Sequence, residues 1–331
     1  MALTCPKCGA EAAEGARFCE ADGTRLSLLQ PPAADAGHCR CGAGPEARDS
    51  EGYCTACGHT WPLPDRDHKE LSLSRRLAGV SDLGKRHTEN QDDFIVAAEQ
   101  IGNKTAEILI VCDGVSSADR AAEASAAAVS AACEFIRQGL AAGRTDCEML
   151  LRESIAQANL AVLALPSLPG SLKDPPETTI VAALVLAGRV TLAWVGDSRA
   201  YQISPEGVAL LTHDHSWINE MVDSSQIGLE EARKSPQAHA ITRCLGLEGE
   251  VSEPSTASFP LAPDAGLLLC SDGFWNYAES EQDILHLLTA MPDGTDAISA
   301  CRSLTTFALA KGGHDNITVV LAQPMPEGTN P

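Results

Sequence analysis

Residues 178–201 read TTIVAALVLAGRVTLAWVGDSRAY and combine two apolar runs with a short turn. The runs Thr178–Leu186 and Val190–Val195 flank Ala187-Gly188-Arg189, a glycine-containing turn typical of antiparallel hairpins. The second run leads through Gly196 into Asp197. This stretch therefore predicts a β-hairpin with a carboxylate at one of its ends.

Other parts of the chain repeat this strand pattern and alternate with helical stretches. Further strands are predicted at Glu107–Cys112, Gly266–Cys270 and Ile317–Ala322, and helices at Ala121–Leu140, Cys147–Leu165, Glu279–Leu288 and Asp296–Ala310. Long helices together with hairpin-linked strands indicate an α+β fold in which helices pack on antiparallel sheets.

Aspartates occupy the ends of the predicted strands. Asp113, Asp197 and Asp272 follow apolar runs, and Asp315 comes just before one. Carboxylates that converge repel each other unless a proton or a cation neutralises them, and hard oxygen ligands select Mg²⁺ or Mn²⁺. The alternative is four unrelated turn residues, because Asp-Gly is a common turn sequence.

Composition and charge restrict the class of protein. The chain has 331 residues, 44% of them hydrophobic, and a formal net charge of −21, which argues against nucleic acid as a partner. No secretory signal precedes an apolar run, and the longest apolar stretch, Ile180–Ala187, is too short to span a bilayer. We therefore expect a cytoplasmic protein that does not bind membranes.

Cysteines cluster near the N-terminus, where seven of the thirteen lie before residue 60. Without a secretory signal, such a cluster is typical of metal ligands and not of a disulfide framework. Two modules resembling the short zinc ribbons of bacterial proteins are predicted, at residues 1–27 and 38–62. Their candidate zinc ligands are Cys5, Cys8, Cys19 and Asp22 in the first module, and Cys39, Cys41, Cys54 and Cys57 in the second.

The zinc modules are expected to hold one or two structural Zn²⁺ ions, because they are too small to fold on apolar burial alone. The alternative is that these cysteines bind no metal. Residues 1–76 carry a net charge of −2, which favours docking of a protein partner or substrate over binding of DNA. A linker is predicted over residues 63–76, a large domain over 77–323, and a C-terminal tail over 324–331.

Seven short segments of the large domain form a distinctive series. The segments are Ser81-Asp82-Leu83-Gly84 with Asn90-Gln91-Asp92, Val111-Cys112-Asp113-Gly114, Glu177-Thr178-Thr179, Gly196-Asp197-Ser198-Arg199-Ala200-Tyr201, Leu211-Thr212-His213-Asp214-His215-Ser216, Cys270-Ser271-Asp272-Gly273-Phe274-Trp275 and Gly313-His314-Asp315-Asn316-Ile317-Thr318. In this order they resemble the metal-dependent PPM-type (type 2C) protein serine/threonine phosphatases. The resemblance implies a four-layer sandwich of two antiparallel β-sheets flanked by helices.

The same resemblance implies two Mn²⁺ or Mg²⁺ ions and a third, weaker one. Asp113 would bridge two ions, and Gly114 would ligate one of them through its carbonyl oxygen. Asp272 and Asp315 would bind the other ion, and Asp197 would share the third with Asp272.

The implied reaction is hydrolysis of phosphoserine and phosphothreonine on proteins by a water molecule that two divalent ions activate. Asp92 and Asp82 would hold metal-bound water or support the site, and Asp92 joins the metal aspartates as a catalytic residue. The expected substrates are the products of serine/threonine kinases, which places the protein in signal transduction.

Three positions depart from the family pattern. His87, with Arg86 beside it, stands where the family has a phosphate-binding Arg, so either could bind the substrate phosphate. Gln91 replaces an acid, and Ser116-Ser117 replace a glycine pair. Two alternatives follow: a catalytically weak phosphoprotein-binding module, or a zinc-ribbon adaptor that carries the phosphatase domain as a passenger.

Overall fold

The computed structural model describes residues 3–4, 11–12, 43–47, 54–56, 67–168, 171–238, 240–247 and 253–324. The chain divides into one unit at Met1–Pro64 and a second at Asp65–Pro331. Each unit has its own internal contacts.

The described part of the first unit contains three short elements. Strands β1 (Leu3–Thr4) and β2 (Glu11–Ala12) pair in antiparallel fashion, and a 3₁₀ turn covers Pro45–Ala47. Cys54 is fully buried against Ala43 and Ala47. Of the predicted zinc ligands only Cys54 is among the described residues, and Cys5, Cys8, Cys19, Asp22, Cys39, Cys41 and Cys57 lie outside them.

A six-stranded antiparallel sheet forms one half of the second unit. Its strands are β3 (His68–Ser72), β4 (Leu77–Asp82), β9 (Arg199–Ser204), β10 (Gly207–Leu210), β12 (Gly266–Cys270) and β13 (Ile317–Ala322). They are arranged in the order β10-β9-β12-β13-β4-β3. The central strands β12 and β13 are buried on both faces, which requires a packed layer on each side.

A five-stranded antiparallel sheet packs against the first. Its strands are β5 (Asp92–Ile101), β6 (Lys104–Asp113), β7 (Ile180–Leu186), β8 (Arg189–Val195) and β11 (Ser255–Pro260), in the order β11-β8-β7-β6-β5. Apolar side chains of both sheets, among them Phe94, Leu109, Leu269 and Val320, form the core between them.

Helices cover the outer face of each sheet and complete four layers. They are α1 (Ala121–Ala141), α2 (Cys147–Leu163), α3 (Trp217–Asp223), α4 (Leu229–Ala232), α5 (Asp272–Trp275), α6 (Glu281–Thr289) and α7 (Ala297–Lys311). Helices α1 and α2 pack on the five-stranded sheet, and α5 to α7 pack on the six-stranded sheet. No helix among the described residues is long and apolar enough to cross a membrane.

The hairpin predicted from residues 178–201 is confirmed. Strands β7 and β8 pair with Leu186 opposite Arg189, so Ala187 and Gly188 alone form the loop. Both loop residues have positive φ, 54° and 70°, as a two-residue hairpin of the favoured hand requires. The predicted strands 266–270 and 317–322 agree with β12 and β13 to the residue.

The predicted linker over residues 63–76 is wrong in part, because His68–Ser72 form strand β3. Lys69 and Leu71 face inward in an alternating pattern, and Leu71 packs against the core between the sheets. An edge strand buries little surface, so polar residues are tolerated in it. The sequence of β3 therefore lacks the apolar run that would have predicted a strand. The sheet therefore begins before residue 77.

Gly79 on β4 lies where the two sheets approach each other closely. A Cβ atom there would overlap the ring of Phe94, which is fully buried, and would also touch Val320. The absence of a side chain at Gly79 therefore allows the aromatic ring to fill the core between the sheets.

Replacing Gly79→Ala is expected to lower the free energy of unfolding by about 1–3 kcal/mol, because the added methyl overpacks the core. The matched control is Gly228→Ala, since Gly228 has an ordinary φ and a Cβ atom added there would meet no other atom within 4 Å. Urea denaturation of both variants measures the difference. Equal stability of the two variants would contradict this packing.

Candidate active site

Five aspartates meet at the edge where strands of both sheets end. Asp113 is the last residue of β6 and pairs in register with Asp92, the first residue of β5. Asp197 follows β8, Asp272 begins α5 directly after Ser271, and Asp315 lies two residues before β13. The structure thus brings together the four strand-end aspartates of the sequence pattern and adds Asp92 to them.

Electrostatic repulsion within this group is strong. Burial of the carboxyl group, followed by the charges of Asp92, Asp272, Asp197 and Asp315, raises the pKa of Asp113 well above its ordinary value. Burial and the nearby Asp315 raise the pKa of Asp272 to about 7, although Asp113 shares a hydrogen bond with Asp272 that lowers it.

Asp92 links the two sheets at this edge. Its Oδ2 atom accepts hydrogen bonds from the hydroxyls of Ser271 at 2.7 Å and Thr318 at 2.8 Å. Its Oδ1 atom is buried and has no hydrogen-bond partner in the described part of the chain. Burial raises the pKa of Asp92 to about 7, and the charges of Asp315 and Asp272 add to that shift.

Asn316 holds the loop between β4 and β5 against β13. Its amide nitrogen donates to the carbonyl oxygens of Leu83 at 2.8 Å and Glu89 at 3.2 Å, and its Oδ1 accepts from the backbone N–H of Gln91 at 2.8 Å. Sequence reasoning assigned Asn316 no role. The signal for it was its place in the family segment that contains Asp315.

Glycines allow close backbone approach beside the carboxylates. A Cβ atom at Gly114 would lie 2.6 Å from the Ala121 carbonyl oxygen and 2.7 Å from that of Gln91. A Cβ atom at Gly273, directly after Asp272, would overlap the Asn316 carbonyl oxygen. Neither position has room for a side chain.

The remaining predicted residues lie around this edge. Asp82 accepts from the Gly84 N–H at 2.9 Å and lies 2.7 Å from Nδ1 of His68, whose pKa is raised chiefly by that hydrogen bond. Arg86 is exposed. His87 is partly exposed, with Nε2 3.1 Å from Oδ1 of Asp315, so it faces the acidic group.

A cleft of about 610 Å³ adjoins the acidic edge, and Asp197, Asp272 and Asp315 line one side of it. Trp275 lies in its wall and donates its indole N–H to the Asp197 carbonyl oxygen at 3.0 Å. The Arg199 guanidinium lies 3.6 Å from the centre of the Trp275 ring and binds the Asp214 carboxylate through two nitrogens.

The adjacent residues Asp214, His215 and Ser216 do not form a catalytic triad. Asp214 is paired with Arg199, His215 contacts Gly196 and Ser255, and the Ser216 hydroxyl accepts from the Asn219 N–H at the start of α3. Three neighbours in sequence thus have three separate sets of partners.

The donor set of this edge suits hard cations. In the described residues no three His, Cys, Asp or Glu side chains are already grouped as ligands of one metal ion. The available donors are nevertheless all oxygens, and burial together with the neighbouring charges raises the pKa of Asp113 and Asp272. One buried carboxylate oxygen lacks a hydrogen-bond partner among the described residues. A divalent cation would neutralise these carboxylates and relieve their repulsion, so the residues fit Mg²⁺ or Mn²⁺.

The stability of the metal-free protein is expected to fall as pH rises from about 4 to about 7. The ordinary pKa of Asp92 and Asp272 is 3.8, and both are raised to about 7 in the folded chain, so the folded state binds more protons within this window. Each group then contributes a destabilisation on the order of a few kcal/mol above that window.

Urea denaturation in chelator at pH 5 and pH 8 measures this fall. Asp272→Asn is expected to make it smaller, because the variant removes one titrating group and its repulsion. Asp264→Asn, in an exposed turn, is the control and should keep the wild-type difference. An identical pH dependence in all three proteins would contradict the repulsion.

Known proteins are similar to this chain in sequence. A family model described as protein phosphatase 2C matches residues 84–307. The serine/threonine phosphatase stp of Listeria welshimeri is 33% identical over 248 residues, which cover 73% of this chain and 93% of that protein.

Solved structures agree with the sequence comparison. The serine/threonine phosphatase PstP/Ppp of Mycobacterium tuberculosis superposes with a TM-score of 0.62 at 29% identity, covering 76% of this chain and 98% of that one. The catalytic domain of PstP in complex with 2 manganese ions gives a TM-score of 0.60 at 29% identity, covering 75% and 97%. This chain therefore belongs to the protein phosphatase 2C family of serine/threonine phosphatases.

Proposed function

We propose that this chain hydrolyses phosphoserine and phosphothreonine on cytoplasmic proteins with the help of two Mn²⁺ or Mg²⁺ ions. The observation that carries the proposal is the meeting of Asp92, Asp113, Asp197, Asp272 and Asp315 beside an open cleft. The structural relative PstP, solved with 2 manganese ions, supports the choice of metal.

Each carboxylate has a distinct part in this proposal. Asp113 and the Gly114 carbonyl would hold one ion, and Asp113, Asp272 and Asp315 would hold a second. Asp197 and Asp272 would hold a third, weaker ion. When bound, such ions lower the pKa of a water molecule and offset charge on phosphoryl oxygens.

Other side chains prepare the site and the substrate. Asp92 and Asp82 support the metal ligands and ordered water. His87 faces Asp315, so a phosphoryl group at the acidic edge would lie within reach of this imidazole or of Arg86. The adjoining cleft, with Trp275 and Tyr277 in its wall, would hold the peptide around the phosphorylated residue.

A second candidate function is phosphoprotein binding with little turnover. His87 in place of Arg and the uncharged Gln91 favour it, because both reduce charge at the site. The buried Oε1 atom of Gln91 has no hydrogen-bond partner among the described residues. No protein contact of this oxygen therefore compensates for the charge that an acid would bring.

Asp113→Asn and Asp272→Asn are each expected to lower turnover of a phosphothreonine peptide by at least about 100-fold, because each removes charge that stabilises the metals. Mn²⁺-dependent phosphate release by the full-length chain measures this. The control Asp264→Asn should keep wild-type turnover.

Two results would separate the candidate functions. Phosphopeptide binding without phosphate release in Mn²⁺ or Mg²⁺ would establish the binding module and reject the phosphatase. Equal turnover of wild type and Asp113→Asn would show that the reaction does not depend on the proposed metal ligands.

The N-terminal cysteines and Asp22 would hold one or two structural zinc ions and present a docking surface for a substrate or partner protein. This part of the proposal rests on the two ligand sets in the sequence and on the near-neutral balance of residues 1–76. The adaptor alternative differs in making this region the main function of the chain.

Metal analysis of the purified chain is expected to find up to two zinc ions per molecule in addition to exchangeable manganese. Cys54→Ser should remove one zinc without reducing manganese, because its proposed ligand set is separate from the acidic edge. Cys133→Ser, which alters a buried cysteine on α1, is the matched control and should keep the wild-type zinc content. A chain without zinc would overturn the zinc modules.

A further inference from the structure

His215 holds the backbone of Gly196 from two sides. Its imidazole Nδ1 accepts a hydrogen bond from the Gly196 N–H at 3.1 Å. Its own backbone N–H donates to the Gly196 carbonyl oxygen at 2.9 Å. Both polar groups of this glycine are thus occupied by one residue, which lies 19 positions further along the chain.

The contacts of His215 determine its tautomer. A backbone N–H can only donate, so Nδ1 carries no proton, and Nε2–H donates to the Ser255 hydroxyl at 2.9 Å. The ring is nearly buried and stacks on Trp194, with ring centres 6.4 Å apart and planes inclined by 14°. Burial, followed by the nearby Arg243, lowers the pKa of His215 to about 4, which agrees with a neutral ring.

Gly196 has no room to find another position. Its φ is +107°, and a Cβ atom would lie 2.6 Å from the side chain of Thr179. The Gly196 carbonyl belongs to the peptide unit before the Cα of Asp197, and Trp275 holds the peptide unit after it. Because both flanking peptide units are held, the direction of the Asp197 Cα–Cβ bond is set.

Asp197 faces the other carboxylates from this position. Asp272 contributes the largest of the neighbouring charges that act on its carboxyl group, and burial raises its pKa well above its ordinary value. The repulsion would be relieved if the Asp197 carboxylate turned towards solvent. A backbone that resists rotation is therefore needed to keep this carboxylate beside Asp272.

We propose that His215 is a positioning residue that aims the Asp197 carboxylate at the shared cation beside Asp272, through the Nδ1 hydrogen bond to Gly196. The proposal rests on the proposed function, because it takes Asp197 as a ligand of the weaker ion. Loss of a supporting contact of this kind typically weakens metal affinity about 10- to 100-fold.

Two substitutions in the full-length chain separate the nitrogen atoms of the ring. In His215→Asn, the side-chain oxygen takes the place of Nδ1 and can still accept from Gly196. In His215→Gln, the amide reaches the place of Nε2 and Ser255, and the acceptor for Gly196 is lost. Calorimetric Mn²⁺ titration, together with the Mn²⁺ concentration that half-activates phosphate release, measures the effect of each.

We expect His215→Gln to need at least about 10-fold more Mn²⁺ to fill the weaker site. The Mn²⁺ concentration that His215→Asn needs should stay within about 3-fold of the wild-type value. Ser255→Ala removes only the Nε2 partner and should also leave Mn²⁺ binding within about 3-fold. Equal Mn²⁺ affinity of the Gln and Asn variants would overturn the proposal. A roughly 10-fold loss of Mn²⁺ affinity in Ser255→Ala would also overturn it. The Ser255→Ala measurement can therefore decide against the proposal even if the Gln variant does not fold.

A double-mutant cycle tests whether His215 acts through Asp197. In an Asp197→Asn background, His215→Gln should cause no further loss of Mn²⁺ binding, because the ligand it positions is already gone. Additive losses would contradict the proposal. Calorimetry measures Mn²⁺ binding and does not require turnover. A wild-type chain that is inactive on phosphopeptide would therefore reject the proposed function, and the effect of His215 on Mn²⁺ binding could still be measured.

Discussion

Repulsion between carboxyl groups at one edge of two packed sheets is the constraint on which this structure depends. Burial raises the pKa of Asp113 and of Asp272, and the charge of Asp315 adds to both shifts. Such a group is unstable by itself and must be held by the rest of the fold until a cation neutralises it. The acidic edge is therefore a part of the domain that the surrounding contacts must stabilise.

The two sheets resist this repulsion because their shared edge is tied by hydrogen bonds between distant segments. Asp92 of the five-stranded sheet accepts from Thr318 of the six-stranded sheet and from Ser271 beside it. Asn316 binds the loop before β5, and the absent side chain of Gly273 lets the two backbones meet. The core between the sheets, filled by residues such as Phe94, keeps these segments in place.

A second set of contacts supports Asp197 from behind. Trp275 holds its carbonyl oxygen, and His215 holds the glycine before it. Arg199 stacks on Trp275 and is neutralised by Asp214, so this arginine is already engaged by protein partners. His87, which stands where the family pattern has an arginine, lies beside Asp315.

Local sequence determined the elements that bury both faces or close a short loop. Strands β7, β8, β12 and β13, the two-residue hairpin loop and the long helices follow from apolar runs and turn residues, because these depend on neighbours in the chain. The placement of aspartates at strand ends also follows from the sequence. Strands β3, β5, β10 and β11 at the sheet edges, and β4 and β9 next to an edge, were not apparent, because they are short or mix polar with apolar residues.

Tertiary structure alone decided which side chains meet. The contacts of Asp92 with Thr318 and of His215 with Gly196 join residues 226 and 19 positions apart, and their existence depends on the order of strands in the sheets. A periodic pattern specifies which face of a strand is buried but not which strand lies beside it. The aspartates could therefore be named from the sequence, whereas the backbone contacts that aim them required the assembled sheets.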